Sequence, residues 1–144
     1  MLFLGKTGKF EPILSKASQE NEAIYASNGY VPFEQVYRMQ QQAAVNIILE
    51  AKAEISPFLP GKFAHCVVAN KPILLIGPHY SESKRLLGKS YPYACEFEEV
   101  EAIENAIIEL YKAWEEGKAL SLDREDLERY MSPQYLKEIL SKEC

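Results

Sequence analysis

The chain has little sulfur, little histidine and no long apolar run. Its three cysteines, Cys66, Cys95 and Cys144, are odd in number, far apart and free of any C-x-x-C pair. That argues against a disulfide framework and a zinc site, and fits a reducing compartment. With two histidines only, His65 and His79, no His-rich metal centre is expected. No apolar stretch approaches the roughly 20 residues of a membrane span. The start, Met1-Leu2-Phe3-Leu4-Gly5-Lys6, lacks a basic n-region and is too short in apolar residues for a secretory signal. A cytoplasmic location follows as the expectation. Excess positive charge is missing too: the formal net charge is −5, whereas a general nucleic-acid binder carries a basic face. Neither the dinucleotide fingerprint G-x-G-x-x-G nor the P-loop G-x-x-x-x-G-K-[ST] occurs.

What remains is an ordinary globular composition over 144 residues, enough for one domain with a substantial core. Short apolar runs alternate with amphipathic patterns. Leu2–Leu4, Ala23–Ala26, Val45–Leu49, Ile73–Ile76 and Tyr91–Cys95 read as strands. A turn is expected at Ser27-Asn28-Gly29, and Pro32 suits the first turn of a helix. Ser81 can cap a helix that Gly88 ends. Val100, Ile103, Ile107, Leu110, Tyr111 and Trp114 recur at helical spacing as a core stripe, and Gly117 marks the stop. Glu98 and Glu99 are expected in that helix's first turn. Asp123 is expected to cap a short helix with Asp126 at N3, stapled by Leu122 and Leu127. A last helix begins at Ser132-Pro133 and is expected to bury Leu136, Ile139 and Leu140. Strand–helix alternation with short turns implies parallel βαβ units. The fold class is therefore α/β: a three-layer, Rossmann-like domain with a mostly parallel sheet. Residues 118–144 form a helical extension of this single domain.

In open α/β sheets ligands bind at the carboxyl ends of the strands. Of the loops there, the segment Glu50 to Gly61 is the longest and ends in Pro60-Gly61-Lys62, directly ahead of a helix. A glycine admits close approach, the start of a helix favours an anion, and Lys62 adds a point charge. The plain alternative is a solvated turn. His65, His79 and Ser81 each carry an equally plain reading as packing, surface and cap. The acidic run from Glu96 to Glu104 reads as a solvated helix face. Cys66 beside His65 does not make a nucleophilic pair, because helix neighbours diverge. Gln40-Gln41-Gln42 reads as exposed helix.

The stretch "SPFLPGKFAHCVVANKPILLIGPHYSESKRLL", Ser56 to Leu87, resembles the C-terminal, donor-binding half of retaining glycosyltransferases of the GT-B fold, families 4 and 1 in particular. "NGYVPFEQVYRMQQQAAVNIIL" resembles that family's preceding turn, helix and strand, and "CEFEEVEAIENAIIELYKAW" its late helix. The resemblance covers most of the chain from Ala23 onward. It implies a nucleotide-sugar donor, with UDP the first choice of nucleotide, as a substrate that needs no metal or other cofactor. By position, Gly61 and Lys62 meet the diphosphate, and Tyr30, Val31 and Pro32 border the base. Ser56 opens the donor loop, and His65 stands where the family places a ribose-binding glutamate. Pro57 occupies the position of its other glutamate. No catalytic residue is assigned.

The resemblance also implies an acceptor-binding N-terminal domain or partner chain. The donor domain is expected to be incomplete at its start, lacking one βα unit, so that the chain alone is inactive. An open sheet edge invites a homo-oligomer. The complete enzyme would work at the inner face of a membrane. Two alternatives stand beside this reading: a degenerate domain used only for assembly, and part of a nucleotide-sugar epimerase.

Overall fold

The computed structural model describes residues 1–27 and 29–142. Asn28 of the expected turn, and Cys144, lie outside the described residues. The chain forms two compact units, residues 1–39 and Gln40 onward.

In the first unit, strand β1 (Leu2–Phe3) pairs in parallel with β2 (Tyr25–Ala26), and helix α1 (Glu11–Glu20) connects them. Pro12 sits in the first turn of α1, where its missing N–H costs nothing. Ser27 ties the two strand ends together, its Oγ accepting from the Gly5 N–H at 2.9 Å. Helix α2 (Phe33–Gln42) carries the chain onward.

The second unit is built on three parallel strands in the order β3 (Asn46–Leu49), β5 (Ile73–Ile76) and β7 (Ala94–Cys95). Asn46 lies opposite Ile73 and Leu49 opposite Ile76, while Leu75 and Ile76 lie opposite Ala94 and Cys95. β7 is shorter than the expected Tyr91–Cys95. Pro92 has no N–H to donate, and the Tyr91 side chain is committed to the start of β5. A second, two-stranded ribbon pairs β4 (Ile55–Ser56) with β6 (Tyr80–Ser81), again in parallel.

Side chains alternate along β3 and β5 and build two cores. Ile48, Ile73 and Leu75 pack with Phe63, Cys66 and Val67 of α3 (Lys62–Val68), with Leu86 and Leu87 of α4 (Glu82–Leu87), and with Leu122 and Leu127. On the other face Leu74 and Cys95 pack with Ala106 and Leu110 of α5 (Val100–Glu115), joined by Ile47 and Ile76. Helices on both faces of a parallel sheet make the three-layer α/β fold that the βαβ pattern implies. Phe63, fully buried, contributes about 1.5–3 kcal/mol by its removal from water.

The local stops follow from the residues. The Ser81 hydroxyl accepts from the Lys84 N–H at 3.2 Å and caps α4, and Gly88 ends that helix at φ 93°. Gly117, at φ 69°, closes α5. Its N–H donates to the Trp114 carbonyl while Lys118 N–H reaches that of Ala113. Ser132 accepts from the Tyr135 N–H at 3.2 Å and starts α7 (Pro133–Lys142).

Four expectations are corrected. Asp123 does not cap α6 (Glu125–Tyr130): its own backbone is left-handed at φ 48°, and Arg124 stands at the N-cap without a side-chain bond. Asp126 pairs with Arg124 instead. Glu98 and Glu99 precede α5 rather than filling its first turn. Only part of the α5 stripe enters the core, because the helix meets the sheet through Ala106 and Leu110 and leaves Val100, Ile107, Tyr111 and Trp114 exposed. α7 likewise leaves Leu136, Ile139 and Leu140 exposed, since it packs on α6 and not on the sheet.

Candidate functional site

Loops from the three parallel strands converge at the strands' carboxyl ends. The ladder runs one residue past β3 and past β5: Glu50 N–H donates to the Ile76 carbonyl at 3.0 Å, and Gly77 N–H to that of Cys95 at 3.1 Å. Glu50 is thereby fixed beside Gly77. Its Oε1 accepts from the Ser83 hydroxyl at 2.5 Å. Its Oε2 is buried and has no hydrogen-bond partner among the described residues. A methyl group added at Gly77 would stand 2.7 Å from that oxygen, so only glycine leaves the carboxylate its place.

Above this floor lies the β4–β6 ribbon. Ser56 is opposite Ser81, the cap of α4, and Ile55 is opposite Tyr80. Ile55 and Tyr80 are both exposed. The His79 ring meets Tyr80 edge-on at 4.7 Å between centroids, and its Nδ1 lies 2.7 Å from Glu96 Oε1. Lys52 pairs with Glu98 at 2.6 Å. That pair holds the Glu98 carboxyl below its usual range, chiefly through the hydrogen bond from Lys52. The loops after β3 and β5 are thus each clamped to the loop after β7. Glu82 bonds Arg85 in the first turn of α4, which lowers its carboxyl in the same way.

Three of the expected site residues lie together at the start of α3. Gly61 is its N-cap, with helical φ and ψ of −55° and −30° and open space where a Cβ would sit. The backbone does not demand glycine there; what the residue provides is an uncovered approach. No side chain caps the helix. Lys62 is exposed and makes no ion pair among the described residues. His65 follows one turn later, half-buried. Ser56, on β4, is half-buried in the same unit. Tyr30, Val31 and Pro32 belong to the first unit. Tyr30 is 81 % exposed, and the Pro32 carbonyl accepts from Gln35 and Val36 at the start of α2.

Cys66 is a core thiol. Burial pushes it up to about 11, against the opposing charge of Lys62 and the bond from Gln40, whose Nε2 lies 3.5 Å from the sulfur. Gln40 is therefore half-buried and engaged, not simply exposed helix. Burial raises Cys95 as well, with the charge of Glu99 adding to it.

A hollow of about 520 Å³ lies elsewhere, lined by Asn70, Asp123, Arg124, Glu125, Asp126 and Glu128. Asn70 precedes β5, so this hollow is at the amino end of the strand. Four of its walls are carboxylates, which repel a phosphate. It is not the anion site.

Sequence reading missed Glu50, Gly77 and Ser83. They come from three segments and meet only through the fold. The one local signal is a carboxylate placed directly after the apolar strand Asn46–Leu49.

Comparison with known proteins finds no matching family model, no matching curated protein and no matching solved structure.

Proposed function

We propose that this chain is the nucleotide-sugar donor-binding part of a glycosyltransferase, with UDP as the first nucleotide to test. The observation that carries the reading is Lys62: an exposed ammonium without a carboxylate partner among the described residues, beside open Gly61, at the uncapped start of α3. That start follows the long loop leaving the carboxyl end of a parallel strand, where α/β folds bind ligands. Uncapped N–H groups and one exposed cation suit a diphosphate. They would stabilise the negative charge that grows on the departing nucleotide, without a metal. His65 and the hydroxyl of Ser56 supply hydrogen-bonding groups for a ribose or sugar. The acceptor is held by a further domain or a partner chain, so the isolated chain binds donor without turning it over.

Pro57 and His65, standing where the resembling family has glutamates, favour a second reading in which the domain serves assembly alone. Titration of isotope-labelled protein with UDP, GDP and ADP separates the two. Saturable amide shifts at Gly61 and Lys62, strongest for one nucleotide and weakened about tenfold by Lys62→Ala, support a donor site. Well-dispersed spectra that no nucleotide moves support assembly.

A further inference from the structure

Two apolar helix faces lie uncovered, and their flanking charges are opposite. On α5, Val100, Ile107, Tyr111 and Trp114 are 68 %, 41 %, 55 % and 60 % exposed. At 100° per residue they share an arc of about 60°, a continuous ridge about 21 Å long. The buried Ala106 and Leu110 lie on one side of it. Glu101, Glu104 and Glu115 line the other side with one lysine, Lys112, all exposed, so that flank is acidic by three charges to one. On α7, Leu136, Ile139 and Leu140 are also exposed and share an arc of about 100°. Lys137 and Lys142 bracket that stripe, while Glu138, the carboxylate of α7 among the described residues, is taken by Arg129 at 3.2 Å. No ion pair among the described residues uses Glu101, Glu104, Glu115, Lys137 or Lys142.

We propose that the α5 ridge is a docking surface for α7 of a second copy of this chain. The charges select that pairing. Two α5 ridges set together would oppose glutamate rows, and two α7 stripes would oppose lysines; only the mixed pair brings unlike charges to the rim of an apolar contact. Each chain owns one ridge and one stripe, so every copy offers both halves of the contact. The contact covers the exposed apolar faces of α5 and α7. It does not depend on the donor-site reading.

The test is self-association of the full chain by sedimentation equilibrium, with amide dispersion as the check on folding. Trp114 is the only tryptophan, so its emission moves to the blue as the dimer forms. The expected result is a monomer–dimer equilibrium weakened about tenfold or more by either Trp114→Glu or Leu136→Lys. Lys137→Glu with Lys142→Glu weakens it too, and adding Glu101→Lys and Glu104→Lys to that variant restores it. A chain that stays monomeric at every concentration overturns the proposal. So does a dimer indifferent to both apolar variants, as pairing along a sheet edge would give. A dimer that Trp114→Glu breaks and Leu136→Lys leaves intact overturns it as well, because that is α5 pairing with α5.

Discussion

Ser83 donates to Glu50 over 2.5 Å, joining the end of an edge strand to the first turn of α4 across 33 residues of sequence. Ser83 is fully buried, so the bond works in a low dielectric and Glu50 is held in one orientation. Gly77 takes the remaining space beside the second carboxylate oxygen. The floor of the candidate site is thus one unit in which strand end, glycine and helix start fix each other.

Gly77→Ala tests that unit. The new methyl group would stand 2.7 Å from Glu50 Oε2 and 3.1 Å from its Cδ. Glu50 must turn away, and the Ser83 bond breaks with it. A loss of about 1–3 kcal/mol in urea unfolding is expected. In a Glu50→Ala background the same change should cost clearly less, because the clashing atoms are gone. Equal costs in the two backgrounds would mean that the residues are not coupled.

Tyr91→Phe removes a hydroxyl that bridges both backbone groups of one residue. It accepts from the Ile73 N–H at 2.8 Å and donates to the Ile73 carbonyl at 3.0 Å. Ile73 is fully buried at the start of the central strand. Phenylalanine keeps the ring and leaves those groups without the bridge, at a cost of about 1–3 kcal/mol. The expected signs are a lower Tm and faster hydrogen exchange at the Ile73 amide.

The central strands were legible because continuous apolar runs bounded by Gly, Pro and Asn have few other uses in a chain this size. Ser81, Gly88 and Gly117 were legible because capping and termination are local chemistry. The exposed ridge on α5 was not. Periodic apolar spacing reports that a helix has an apolar face, and it does not report what covers that face. The same holds for Leu136, Ile139 and Leu140. At Asp123 the cause is distant: an aspartate that looks like a cap has a left-handed backbone instead, and its N–H is held by Asn70 from 53 residues away. Lys62 and Gly61 were visible in one short stretch, whereas Glu50, Gly77 and Ser83 had to be assembled by the sheet.

Asn70 fixes that tail. Its Oδ1 accepts from Leu122 N–H at 3.1 Å and from Asp123 N–H at 2.9 Å. Its own backbone sits at φ 49°, which asparagine tolerates far better than alanine. Asn70→Ala therefore loses these two bonds and a weaker third, from its Nδ2 to Asp123 Oδ1 at 3.4 Å, and adds strain, about 2–4 kcal/mol together. Asn70→Gly loses the bonds alone and should be less harmful. Amide exchange at Leu122 and Asp123 should quicken in both variants, and equal stability of the two would remove the backbone part of this account.

Cys66 gives a pH dependence with a definite sign. Its thiol has an ordinary value of 9.0 and is pushed up to about 11 in the fold, by burial first. Below pH 9 both states keep the proton and the thiol makes no difference. Between about 9 and about 11 the unfolded chain releases the proton and the folded chain holds it, so stability falls as pH rises and the loss is complete above the folded value. In a Cys144→Ser background, Cys66→Ala should flatten this alkaline slope even though it lowers stability at neutral pH through the cavity it leaves. The same burial should keep Cys66 slow toward a thiol reagent in the native state and fast once urea unfolds the chain. A slope that Cys66→Ala leaves unchanged would place the alkaline sensitivity on other groups, with Tyr91, which burial also raises, the next to replace.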